Sequence, residues 1–434
     1  MRKSTSSTKE QITELSEKER TVIDACTKEA LQSTKRAFMP FKEFVALMVL
    51  LMSITALAID AMLPMLDEIG KEMFVANVNH TQYVISAMFL GLTLGQLVYG
   101  PLSDSYGRKT MIYIGMAIFS AGSIFSLVAG NFELLLLGRM LQGLGAASNR
   151  VVTVAMVRDR FSGRNMAQVM SIIMGTFILV PAIAPTIGQV VFMVGHWRYM
   201  FVLFLVIAFV GTLWMHIRLT ETLALERRRP FNPKSLWQGI CEVIKNPITR
   251  DYTICAGFVF GGLLGYLMSA QQIFQGYYNT GAMFPLYIAI LAMAGGLASF
   301  VNARIVRIYG MRKIARYAFI ARIVTSAVFV CALLYQPQMP LPFFMVYALI
   351  TFFLMGLLFG NLNTIALEPM GHIAGIASAV TGMLSLAISL VVGSVIGQSF
   401  DMSLLPLSIG FLATSCIGLL IQTRIERRRL GASL

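Results

Sequence analysis

Apolar runs of about 20 residues, broken by short polar stretches, recur from residue 44 to residue 423 and dominate the pattern of the chain. They delimit spans near 44–65, 81–100, 110–129, 134–157, 167–190 and 199–219, then 251–274, 283–305, 314–335, 341–365, 373–397 and 402–423. Each approaches the roughly 20 residues that a helix needs to cross a hydrocarbon core about 30 Å thick. The pattern predicts an all-α polytopic membrane protein of twelve transmembrane helices. Its longest break opens on ETLALERRRPFNPKS and divides the spans six and six. The expected organisation is an N-terminal arm (1–43), a six-helix bundle (44–219), a linker (220–250), a second bundle (251–423) and a tail (424–434).

Composition agrees: 56% of the 434 residues are hydrophobic and 13% are charged. A net charge of +14 raises the question of nucleic acid, which the placement of the basic residues answers against. Of 35 Lys and Arg, only Lys71 and Arg198 fall in one set of alternate loops, and Arg139, Arg150 and Arg322 fall inside spans. All the others lie in the opposite set, which includes both termini. By the positive-inside rule that set is cytoplasmic, in a bacterial inner membrane. The first 43 residues carry no apolar core of a signal peptide. From Glu10 to Phe38 a solvated arm is preferred to an amphipathic helix on the inner leaflet. Cys26, Cys241, Cys255, Cys331 and Cys416 form no CxxC pattern, so neither disulfides nor metal sites are expected.

The two sets of six spans repeat one another. YGRK (Tyr106 to Lys109) follows span 2, and YGMRK (Tyr309 to Lys313) follows span 8. Two parallel repeats rocking about a site near the bilayer midplane is an architecture of secondary transporters.

Three charges stand inside these spans at positions that suggest chemistry. Asp60 sits in FVALMVLLMSITALAIDAMLPML, where an acid costs about 2.5–3.5 kcal/mol on insertion scales. It is either a helix-end acid reaching the headgroups, since Pro64 and Asp67 follow, or a group that binds protons or pairs with substrate; the second reading is preferred. Arg139, in span 4, is expected at the same depth and so as its partner. Arg150 follows 11 residues later, nearly the same face, giving a cationic stripe about 16 Å long. The alternative for Arg150 is snorkelling to the cytoplasm. Gly143, Gly145, Ala146 and Ala147 mark span 4 as a close-packed interior helix.

GPLSDSYGRK (Gly100 to Lys109) matches the G-x-L-x-D-x-x-G-R-K pattern joining helices 2 and 3 in the major facilitator superfamily. Gly100 and Gly107 permit close approach and a tight turn, while Asp104 can face cations or a helix N-terminus. Arg108 holds the loop in the cytoplasm. The resemblance implies that this motif, through Asp104, latches the halves in an outward-facing state. GRMLQGLGAAS (Gly138 to Ser148) is similar to the superfamily's R-x-x-Q-G motif of helix 4. LVPAIAPTIGQ, with Pro181, Pro185 and Gly188, resembles the helix-5 motif of antiporters, with Ala184 and Gln189 in place of two glycines. Its prolines are expected to favour a bend. TALAIDAMLP, MVRDRF, GHWRYMF and ALEPMGHIAG together resemble the bicyclomycin-resistance subfamily of drug:proton antiporters, over roughly residues 44–423. Glu368 reads as a structural cap or gate at the cytoplasmic mouth.

Span 7 carries Tyr266, Ser269, Gln271, Gln272, Phe274 and Tyr277 in an apolar run, suited to a pocket for amphipathic molecules; an interfacial belt fits Tyr277 and Tyr278 better. Asp60, Arg139, Arg150, Tyr266, Ser269, Gln272 and Phe274 are the candidate substrate residues, with Asp60 and Arg139 coupling protons. No metalloprotease motif, nucleophile elbow, phosphate loop or intramembrane carboxylate pair is present, which argues against an enzyme. The expectation is a monomeric exporter of small amphipathic molecules driven by proton entry, with no cofactor beyond the proton gradient. Export of a dedicated metabolite or siderophore, proton-coupled uptake, and a non-transporting receptor remain open.

Overall fold

The computed structural model describes residues 39–228, 230 and 232–431. The arm, with Cys26, lies outside the described residues. Within them stand twelve helices of 20 residues or more: α1 (Phe41–Asp60), α2 (Tyr83–Tyr106), α3 (Arg108–Leu127), α4 (Phe132–Arg160), α5 (Gly163–Val194) and α6 (Tyr199–Arg218), then α7 (Pro247–Gln271), α8 (Phe284–Tyr309), α9 (Met311–Tyr335), α10 (Leu341–Leu367), α11 (Ala374–Gln398) and α12 (Leu405–Gly431). A short helix, Leu66–Glu72, follows α1, and Pro233–Lys245 forms a linker helix between the halves. Helix α12 runs into the segment expected as a tail.

Local chemistry sets the helix ends. Asn131 Oδ1 accepts the Leu134 amide at 2.8 Å, and Asn246 Oδ1 accepts those of Ile248 and Thr249 at 3.1 Å, with Pro247 at the first helical position. The glycine of each repeated motif makes a sharp junction: Gly107 (φ 97°, ψ 153°) between α2 and α3, Gly310 (φ 76°, ψ 151°) between α8 and α9. Only glycine enters that region without strain. Span 1 departs from its expected length. Its regular helix stops at Asp60, and a single 3₁₀ turn at Leu63–Met65, containing Pro64, redirects the chain into Leu66–Glu72. Helix α5 by contrast continues through both Pro181 and Pro185.

Helices α2 and α3 pack on α4, α1 on α4 and α5, and α3 on α6; α7 packs on α10, α11 and α12, α8 on α10, and α9 on α10 and α12. The main contacts between halves are α2 on α11 and α5 on α8. The linker helix lies on α11, with Gly239 against Ile376 and Glu242 bound to His372 at 2.6 Å.

The small residues of α4 permit its central position, as expected. A Cβ on Gly143 would stand 1.9 Å from the Met88 carbonyl oxygen of α2. Gly143→Leu is therefore expected to destabilise the fold by at least about 2 kcal/mol, because backbone cannot yield as a side-chain tip can. Gly360→Ala in α10, whose added carbon meets nothing within 4 Å, is expected to leave stability unchanged. Unfolding of the purified proteins in detergent checks both.

Candidate functional site

One end of the molecule gathers the basic loops, and there the two halves repeat a single ion cluster. Arg108 Nε donates to Asp159 at 2.8 Å, and its Nη1 pairs with Asp104 at 2.6 Å and donates to Ser103 Oγ at 2.7 Å. Glu221, just past α6, accepts the backbone amides of Arg108 and Lys109 at 3.0 and 3.1 Å, capping α3. In the second half Arg312 pairs with Glu368 after α10 at 2.8 Å and with Glu426 in α12 at 3.1 Å. Each motif arginine, at the start of the third helix of its half, thus pairs with an acid at or just past the end of the fourth; the sixth is reached through Glu221 and the Arg108 amide in the first half and through Glu426 and the Arg312 side chain in the second. Glu368 is a structural clamp here.

Between the halves at this basic face lies a cavity of about 650 Å³, walled by α2 from Gln96 to Asp104, by α4 from Arg150 to Arg158, and by the start of α11. Asp104 is half-exposed on its wall and paired with Arg108 of its own half, although Ala374 and Gly375 of α11 line the same space. Among the described residues it makes no hydrogen bond or ion pair to the second half. Gly100 lies where α2 meets both Val151 of α4 and Ala379 of α11.

The opposite face is closed by amides. Asn79 Nδ2 donates to the carbonyls of Gln398 (3.0 Å) and Phe400 (2.8 Å), and Gln398 Nε2 returns a bond to the Asn79 carbonyl at 2.8 Å. Gln82 Nε2 donates to Gln272 Oε1 (2.7 Å) and Gly397 O (3.1 Å), while Gln272 Nε2 donates to Asn79 Oδ1 (2.9 Å). Further along α2, Phe89 meets Phe260 of α7 edge-on, with centroids 6.2 Å apart. From end to end, α2 is a seal, an aromatic contact and a cavity wall.

Asp60 lies near the junction of α1, α5 and α7. Its carboxylate is buried, and among the described residues no hydrogen bond or ion pair reaches it. The break after Asp60 is pressed against α5, where a Cβ on Gly188 would stand 2.0 Å from the Ala61 carbonyl oxygen. Across the interface Tyr266 of α7 is close enough to feel the Asp60 charge, and its buried hydroxyl has no hydrogen-bond partner. A proton acceptor and an unused donor, one from each half, therefore share this region.

The family model for the Major Facilitator Superfamily matches residues 44–394. The chain belongs to the major facilitator superfamily. It is 30% identical over 381 residues to an uncharacterized transporter of this superfamily, YdgK of Bacillus subtilis, covering 86% of this chain and 93% of that one. It is 26% identical over 364 residues to a bicyclomycin resistance protein homolog of Haemophilus influenzae, covering 82% and 89%. Among solved structures, a D-xylose-proton symporter shares the fold with a TM-score of 0.67 at 12% identity, over 88% of this chain and 96% of that one.

Against this superfamily scaffold, several expectations need correction. Arg139 does not pair with Asp60: Nη2 donates to the Ala58 carbonyl at 2.8 Å, Nε to Val84 O at 3.3 Å and Nη1 to Gln142 Oε1 at 2.7 Å. A carbonyl near the end of α1, one at the start of α2 and a side chain of its own helix take the guanidinium instead. The stripe on α4 is also divided, since Arg139 is enclosed within its bundle while Arg150 lines the cavity. Gln272 is occupied in the amide seal. Ser269 spends its hydroxyl on Gly265 O at 3.0 Å. Phe274 stacks on Tyr287 with centroids 5.5 Å apart and meets Phe284 and Phe344, all of the second half. A single π-helical turn, Gln272–Tyr277, re-aims the residues it contains, Phe274 among them. Asn79, Gln82 and Gln398 went unread; three neutral amides at the same end of spans 2 and 11 were the available signal.

The geometry predicts unequal reactivity. In a protein freed of its native cysteines, Ala155→Cys in the cavity wall is expected to react with a polar maleimide at least about tenfold faster than Gln82→Cys in the seal, a difference near 1.4 kcal/mol in opening free energy. Mass spectrometry over a time course reads both rates.

Proposed function

We propose that this chain is a proton-coupled transporter that exports small amphipathic molecules, drugs or related compounds, by alternating access. The carrying observation is Asp60: a buried carboxylate without a hydrogen-bond or ion-pair partner among the described residues, at a helix break, with the unpaired Tyr266 hydroxyl across the interface. A group that must gain and lose a proton or a cationic substrate needs to be free of permanent partners. Arg139 acts through the backbone, fixing the turn that ends in Asp60. The basic face is taken as cytoplasmic in a bacterial inner membrane, with both termini on that side. A cavity at that face and an amide seal at the other describe an inward-facing arrangement; the Asp104 motif would latch only when the cavity closes. Pro181, Pro185 and Gly188 would hold α5 against the Asp60 break as the halves rock.

Each proton entering gains about 2.3 kcal/mol per 100 mV. The resemblance to a bicyclomycin resistance protein homolog supports drug efflux and supplies a first test substrate. A monomer suffices for this cycle. Arg150 and Arg158, both on the cavity wall, favour a second reading: export of an anionic or zwitterionic metabolite. Profiling the medium of cells lacking the protein, beside their growth on an antibiotic panel, separates the two.

In liposomes the wild-type protein is expected to move bicyclomycin uphill when protons flow down their gradient, and Asp60→Asn to reduce that coupled flux at least about 100-fold while the protein remains folded. An Asp60→Asn protein that still couples uphill export to the pH gradient overturns the proposal.

A further inference from the structure

Arg322 is a cation that the transport scheme leaves unused. It lies at mid-length in α9, is fully buried, and none of its three guanidinium nitrogens has a hydrogen-bond partner. Among the described residues no carboxylate pairs with it. Its walls come from three other helices: the Gly262 backbone of α7 beside Nη2, the Phe411 ring of α12 with its centroid 5.0 Å away, and Tyr347 of α10. The Tyr347 hydroxyl lies 3.2 Å from Ser326 Oγ, and the buried Thr351 hydroxyl stands beside it. Arginine offers five N–H donors and no acceptor, and the neighbouring groups are hydroxyls that can also donate. Donor-rich surroundings with one positive charge and no acid are complementary to one small negative charge.

We propose that the second half binds a dehydrated monovalent anion of chloride size at Arg322, fastening α7, α9, α10 and α12 together. The site is enclosed within that half and makes no demand on Asp60.

The test follows thermal unfolding of the full-length protein in detergent, exchanged into gluconate, as chloride, bromide, nitrate, acetate or sulfate is added at constant ionic strength. Chloride, bromide and nitrate are expected to raise the unfolding temperature saturably, by roughly 3 °C at a hundred times Kd. Arg322→Met is expected to abolish the response. Should that variant not fold, Tyr347→Phe and Thr351→Val are expected to raise the half-saturating chloride concentration about tenfold. Equal unfolding temperatures in gluconate and chloride, an equal effect of acetate and sulfate, or an unchanged response in the substituted proteins overturns the site.

Discussion

Every polar group inside a bilayer must find its partner within the protein, and this constraint organises the molecule. Helices satisfy the backbone. Side chains have to be satisfied case by case, as Arg139 is on Ala58, Val84 and Gln142, and Gln142 in turn on Ser123. Against that background the exceptions carry information. Asp60 and Tyr266 lack hydrogen-bond partners where the halves meet, and Arg322 lacks one inside a single half.

The repeated arginine clusters give the halves their mechanical character. Arg108 and Arg312 each bind segments distant in sequence but within one half, so the ends of each bundle are tied to themselves. The main contacts between halves are of another kind: the α2–α11 surface, where small and amide residues meet, and the α5–α8 surface. In the proposed cycle motion would be directed to these two seams, with the helices within each half keeping their neighbours.

Much of this was legible in the sequence because bilayer thickness imposes a length on each helix. The span 199–219 agrees with α6 to within one residue, and the Gly107 and Gly310 junctions follow from a visible repeat. What the periodicity could not show was where a helix changes kind. The run through Asp60 is apolar on both sides of the acid, yet its regular helix stops there and a 3₁₀ turn containing Pro64 follows; the run through Phe274, with Gln271, Gln272 and Gln275 among its residues, keeps helical length, yet a π turn rotates it. Partner choice was also hidden. Matching depth made Asp60 and Arg139 plausible partners, but depth says nothing of the carbonyls that take the guanidinium instead. Arg322 was visible as a charge within a span, and only its surroundings show that no carboxylate and no hydrogen-bond acceptor answers it among the described residues.

The seal at the opposite face contains no charge. Asn79, Gln82, Gln272 and Gln398 hold it through amide and carbonyl bonds alone. Exchanging such bonds for bonds to water changes free energy little, about 0.5–1.5 kcal/mol each. If this face is exterior, as proposed, the seal would be a weak, salt-indifferent latch whose own opening displaces no ion through the membrane field; electrical work in the proposed cycle would fall to other steps, which the gate would follow without setting their voltage dependence.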